Sequence, residues 1–263
     1  MIESLNFDLQ VPQADISKIT MLLYGTPKIG KSTFCSRFGD HFFIATEPGL
    51  NHIEARYQLV QNWDDIKQVV SLLTQARGRF KTIIVDTADR MCDMLERSIL
   101  DKYKIQSLGD LGFGKGSAIF ASELKWMMDT LTAIGCGLVF VSHADSIDID
   151  TPSGKVKKWV PSLPKAARKQ ILNFVDVIGF AESEYIINAG KSTETRVLHL
   201  APSQIWEAGD RTAKFPPKIA FKHAVFKKYF EVSPQQSQQQ QAQQQQAQQQ
   251  QSQPANAAEQ SKE

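Results

Sequence analysis

Two hydrophobic periods alternate along this chain. Compact apolar runs occur at 19–23, 42–46, 82–86 and 137–142, and each stops at a polar or glycine-bearing segment. Runs this short and this apolar predict strands buried in a sheet. Between them, Ile66, Val69, Val70, Leu73 and Ala76 recur at helical spacing, as do Met91, Met94, Leu95, Ile99 and Leu100. They predict helices over 64–78, with Asp64 as cap and Gly78 as stop, and over 89–104; a third is expected over 119–134. Strands alternating with helices predict an α/β fold with a mostly parallel sheet flanked by helices.

The pattern changes after residue 143. Apolar stretches at 147–149 and 156–160 flank Thr151, Pro152, Ser153 and Gly154, which predicts a hairpin. A helix at 164–174 and a strand at 175–181 follow, then an antiparallel hairpin pairs 185–188 with 196–200. Residues 211–229 show no clear period, and residues 1–18 read as an edge strand or lead-in. Four glycines within 108–116 predict a mobile loop, for which a functional role and an inert linker carry equal weight. From 235 to 253 only Gln, Ala and Ser occur, so this tail through 263 lacks the apolar surface to offset its ordering entropy. The expected organisation is a lead-in at 1–18, one domain at 19–234 and a disordered tail at 235–263.

The strand at 19–23 runs into Gly25, Thr26, Pro27, Lys28, Ile29, Gly30, Lys31, Ser32 and Thr33. Gly, four residues, then Gly-Lys-Ser is the spacing of a phosphate-binding loop between a strand and a helix. Glycines let backbone N–H groups approach phosphate oxygens, Lys31 supplies a point charge to the β- and γ-phosphates, and Ser32 offers a hydroxyl to Mg²⁺. Pro27 removes one donor from the loop. Three polar residues stand at the ends of the other apolar runs. Glu47 follows the second, where ligands bind open α/β sheets. Asp86 closes the third in the form of a Walker B carboxylate directed at Mg²⁺, against the plainer reading of a strand-end cap. His143 follows the fourth, either as a cap or as a sensor of the γ-phosphate.

The whole chain has 263 residues, 42% of them apolar, which suits one sizeable α/β core. Its net charge of +2 predicts no partner, but the distribution is uneven. Lys155, Lys157, Lys158, Lys165, Arg168 and Lys169 occur between 154 and 175 without an acid, and Arg211, Lys214, Lys218, Lys222, Lys227 and Lys228 do so between 211 and 230. Two basic segments in a nearly neutral chain predict a polyanion-binding face. In the hairpin, Lys155, Lys157, Lys158 and Trp159 suit single-stranded nucleic acid if the indole projects to stack on a base; otherwise Trp159 packs back on the body. Three scattered cysteines suit a reducing compartment, and no apolar stretch reaches membrane-spanning length, so a cytoplasmic protein is expected.

The order of the phosphate loop, Glu47 in "FFIATEPG", Asp86 and His143 in "VFVSHAD" resembles a RecA-like P-loop NTPase core over roughly residues 19–230. More narrowly, the chain resembles the short RecA-like proteins of bacteriophages, which include ATP-dependent single-strand annealing recombinases. The resemblance implies ATP and Mg²⁺ as cofactors, hydrolysis with Glu47 as general base and His143 as sensor, and residues 145–163 in the place of a DNA-binding loop. It also implies single-stranded DNA as partner, a single-strand-binding protein as a further one, and a homo-oligomer in which Arg168, Lys169, Arg211 or Lys214 reaches a neighbour's nucleotide. Competing classes are a helicase loader, a packaging or partition ATPase, and a DNA-binding module with ATP as a structural ligand. The chain lacks the long terminal extensions of full-length RecA, which puts strand exchange and filament formation outside the resemblance.

Overall fold

Each buried apolar run becomes a strand of a single sheet, because runs without polar interruption can be covered on both faces. The computed structural model describes residues 15–151, 154–188 and 191–231. Most of the expected lead-in, the two hairpin tips and the glutamine-rich tail lie outside those residues. In chain order the elements are β1 (Thr20–Gly25), α1 (Lys31–Cys35), β2 (His41–Ala45), β3 (Tyr57–Leu59), α2 (Trp63–Gln75), β4 (Thr82–Asp86), α3 (Ala88–Tyr103), α4 (Lys115–Ala133), β5 (Gly137–Thr151) and β6 (Gly154–Pro161). There follow α5 (Lys165–Phe174), β7 (Val177–Asn188), β8 (Lys191–His199), β9 (Gly209–Asp210), β10 (Lys218–Ala220) and α6 (His223–Glu231).

The strand order is β10-β8-β7-β1-β5-β4-β2-β3, with β6 paired to β5 and β9 to β7. From β7 to β3 every neighbouring pair is parallel, while β8 and β10 add antiparallel strands at the C-terminal side. The expected fold class is therefore found. Alternation divides the core in two. Leu22, Ile44, Ile83, Val85, Leu138 and Phe140 face one side with α2 to α5; Met21, Leu23, Phe43, Ile84, Val139 and Val141 face the other with α1 and α6.

Several boundaries differ from the sequence reading. Asn62, not Asp64, caps α2, its side chain accepting from the Asp65 N–H at 2.9 Å. The glycine-rich stretch is more ordered than a plain loop: Leu108–Leu111 is a 3-10 turn closed by Ser107 and Asp110, and α4 already begins at Lys115. Between them Gly112, Phe113 and Gly114 all have positive φ, which leaves the Phe113 side chain fully exposed. The apolar run ending at 142 and the segment at 147–149 are one 15-residue strand, β5. Likewise 177–188 is continuous as β7. The polar residues that interrupt the sequence pattern leave the parallel core there and pair only with an antiparallel neighbour. Pairing of β1 with β5 ends at Gly25 opposite His143, and with β7 at Gly25 opposite Ala181. Beyond this line β5 with β6, and β7 with β8, continue as two antiparallel arms, one on each side of the loop that follows β1.

Candidate nucleotide-binding site

The loop after β1 is shaped by contacts that the sheet imposes. A Cβ on Gly25 would stand 2.3 Å from the Ala181 carbonyl oxygen of β7, so the close approach of two strands requires glycine. Gly30 has φ +107° at the entry to α1. Ile29, Phe34 and Cys35 are buried and anchor the loop and its helix, whereas Pro27, Lys28 and Thr33 face solvent and Thr26 is half-buried. The Lys31 ammonium closes the loop on itself, donating to the carbonyls of Gly25 at 2.9 Å and Thr26 at 3.0 Å. Burial holds this ammonium below the ordinary lysine range, against the pull of Asp86, Asp89 and Glu47.

Carboxylates gather opposite the lysine. The Ser32 hydroxyl donates to Asp86 Oδ2 at 2.6 Å. Burial raises the Asp86 pKa; the Ser32 bond opposes that rise and the Glu47 charge adds to it. The end of β2 is tied to the end of β4: Thr46 N–H donates to the Asp86 carbonyl at 2.8 Å, and Thr87 N–H donates to Thr46 Oγ1 at 2.7 Å. This brings Glu47, half-buried, to the same edge. From the first turn of α3, Asp89 grips His143 twice, through its ring Nδ1 at 2.6 Å and its backbone N–H at 3.3 Å. A hydroxyl beside a buried carboxylate is a hard-oxygen donor set that fits Mg²⁺, and a cation there would relieve the desolvation that raises Asp86.

With this geometry in place, comparison with known proteins places the chain. Residues 17–212 match the AAA domain family. The chain belongs to that family. The AAA domain implies nucleotide binding, typically with Mg²⁺. Among curated relatives, the SPbeta prophage-derived uncharacterized protein YorG of Bacillus subtilis (strain 168) is 24% identical over 189 residues, 69% of this chain and 56% of that protein. The chain thus spans little more than half the length of the curated relative it matches. Among solved structures, the flagellar accessory protein FlaH of Methanocaldococcus jannaschii aligns with a TM-score of 0.43 at 13% identity, over 81% of this chain and 86% of that one.

Other residues singled out in the sequence lie away from this edge of the AAA domain or are otherwise engaged. Trp159 does not project: it stacks toward Phe180 at 6.2 Å between centroids, and its backbone pairs with Ile205 and Glu207. The Tyr24 hydroxyl, one residue before the loop, donates to the Glu207 carbonyl at 2.7 Å and fixes the same region. Lys158 pairs with Glu207 at 2.9 Å. Lys155 and Lys157 are exposed but stand in register with Asp150 and Asp148. The β5–β6 arm is thus far less basic than its second strand alone, because its first strand brings the acids. Arg211 is at the far end of the sheet, donating to the Asn173 carbonyl at 3.0 Å and lying 3.6 Å from Asp176. Lys214 lies over the Phe230 ring. Arg168 and Lys169 ride on α5, which packs through Ala167 and Ile171 on the side of the sheet opposite α1.

Two residues at the site went unnoticed in the sequence. Asp89 had a signal, as a second carboxylate three residues after Asp86, in the first turn of the following helix. Arg196 had none, because only the sheet brings β8 near the loop. Among the described residues, no helix is long and apolar enough to cross a membrane.

Proposed function

We propose that this protein is a MgATP-dependent DNA-binding ATPase acting in phage DNA recombination or single-strand annealing. The observation that carries the reading is the convergence of Lys31, Ser32, Asp86, Glu47 and the Asp89–His143 pair at one sheet edge, with His143 at the root of the β5–β6 arm. Loop amides and Lys31 hold the phosphates. Ser32 and Asp86 hold Mg²⁺, which when bound neutralises phosphate charge. Glu47 orients the attacking water and accepts its proton. Asp89 holds the His143 ring, and the backbone carbonyl of His143 accepts from Ser162 N–H at 2.8 Å, so a change at the γ-phosphate is felt where the arm rejoins the body.

For the nucleic acid, Phe113, the most exposed aromatic among the described residues, suits base stacking better than Trp159, with Lys115 two residues on as a phosphate partner. The prophage origin of the curated relative supports the phage setting. The reading includes assembly with further copies, as P-loop ATPases often complete their sites in trans. A second reading, as a helicase-loader or packaging type of ATPase whose arm meets a protein, is favoured by the cross-strand acids that offset the arm's lysines. ATP turnover measured without DNA, with single strands and with duplex separates them, with Lys31→Ala as the inactive control. Stimulation by single strands is expected; turnover indifferent to all DNA would sink the nucleic-acid reading.

A further inference from the structure

Arg196 sits on β8, two strands from β1, yet its guanidinium Nη1 donates to the Ile29 carbonyl inside the phosphate loop at 3.1 Å. The same nitrogen lies 3.5 Å from the place where a Cβ on Gly30 would be. The backbone that carries it is fixed from two directions. Arg196 is in register with Ser183 of β7, and its carbonyl accepts from Phe221 N–H at 2.9 Å. Phe221 in turn stacks on Phe34 of α1 with centroids 4.9 Å apart. The cation therefore reaches the loop from a strand paired on both sides, while the residue itself is exposed to solvent.

The bond has a geometric consequence. In a trans peptide the C=O and the following N–H point in opposite directions. Holding the Ile29 carbonyl toward Arg196 turns the Gly30 N–H away from Arg196 and keeps a carbonyl dipole from facing the phosphates. We propose that Arg196 is a nucleotide-positioning residue: it orients the Ile29–Gly30 peptide for phosphate binding and adds positive charge at the mouth of the loop. This rests on the reading of the loop as the nucleotide site.

Equilibrium binding of ATP, ADP and AMP with Mg²⁺ to the full chain tests it, using wild type, Lys31→Ala, Arg196→Ala, Arg196→Gln and Arg196→Lys, together with melting temperatures of the nucleotide-free proteins. Arg196→Ala is expected to weaken ATP and ADP about tenfold, the scale of one charge-assisted hydrogen bond, and AMP less than about twofold. Gln keeps a donor without charge and Lys keeps the charge on a single nitrogen without the guanidinium fork, so each restores part of the loss. Melting temperatures stay near wild type. Unchanged ATP affinity in Arg196→Ala would overturn the proposal, as would equal weakening of all three nucleotides together with a lowered melting temperature. Failure of the nucleotide-site reading itself shows differently: wild type and Lys31→Ala would then bind ATP equally poorly, whatever stands at 196.

Discussion

Replacing Asp89 by Asn tests a contact that the structure added to the sequence reading of the site. The carboxylate meets the His143 ring at 2.6 Å and the His143 N–H at 3.3 Å, with the two side chains 16% and 34% exposed. A hydrogen bond to a charged group contributes about 1.5–3 kcal/mol, and the partial exposure of His143 puts this pair at the lower end. Asparagine preserves the shape and one acceptor but removes the charge, so a loss of about 1.4 kcal/mol is expected, or roughly tenfold. The loss falls on turnover, because the pair fixes His143 rather than the phosphate loop; ATP affinity stays within about twofold. Steady-state ATP hydrolysis alongside equilibrium ATP binding measures both quantities. If Asp89 works through His143, the double variant Asp89→Asn/His143→Ala turns over no more slowly than His143→Ala alone. Wild-type turnover in Asp89→Asn, or fully additive losses in the double variant, would refute the reasoning.

Gly25→Ala places a methyl 2.3 Å from the Ala181 carbonyl, so β1 and β7 must separate; a stability loss of about 1–3 kcal/mol in denaturant melts, with loss of ATP binding, is expected. Phe113→Ala is expected to change stability by less than about 0.5 kcal/mol, being fully exposed; under the proposed function, titration with a single-stranded oligonucleotide should show binding weakened by the roughly 1–3 kcal/mol of one stacked base. Trp159→Ala does the reverse, lowering the melting temperature through lost packing on Phe180 while sparing DNA affinity. His223, edge-on to Phe34 and Phe38, has its pKa lowered to about 4, chiefly by burial. The unfolded chain takes up that proton below about 6.5 and the folded one does not. This contribution to stability is therefore whole above pH 6.5, declines as pH falls to 4, and amounts to about 1 kcal/mol once partial solvent screening is allowed for. Melting temperature against pH reads it, and His223→Phe should flatten the slope across that window.

What the sequence determined alone was local. The phosphate loop was legible because Gly25, Gly30, Lys31 and Ser32 act within one turn of chain, where spacing fixes geometry. The buried strands were legible because both faces of a central strand demand apolar residues. Asp86 and Glu47 could be placed because each follows such a strand directly. Tertiary structure decided everything that depends on which strands are neighbours. The basic run at 155–158 looked like a polyanion surface until the register of β5 set Asp148 and Asp150 beside Lys157 and Lys155. Whether Trp159 projects or packs back was open in the sequence; the neighbouring strands decide it, with the indole stacked toward Phe180 and the Trp159 carbonyl accepting from Tyr24 and Glu207. Arg196 reaches Ile29 across 167 positions of sequence only because β8, β7 and β1 lie side by side. The physical reason is one of range: backbone conformation and burial period are written in successive residues, whereas charge neutralisation and side-chain shelter are properties of neighbours that the chain brings together only on folding.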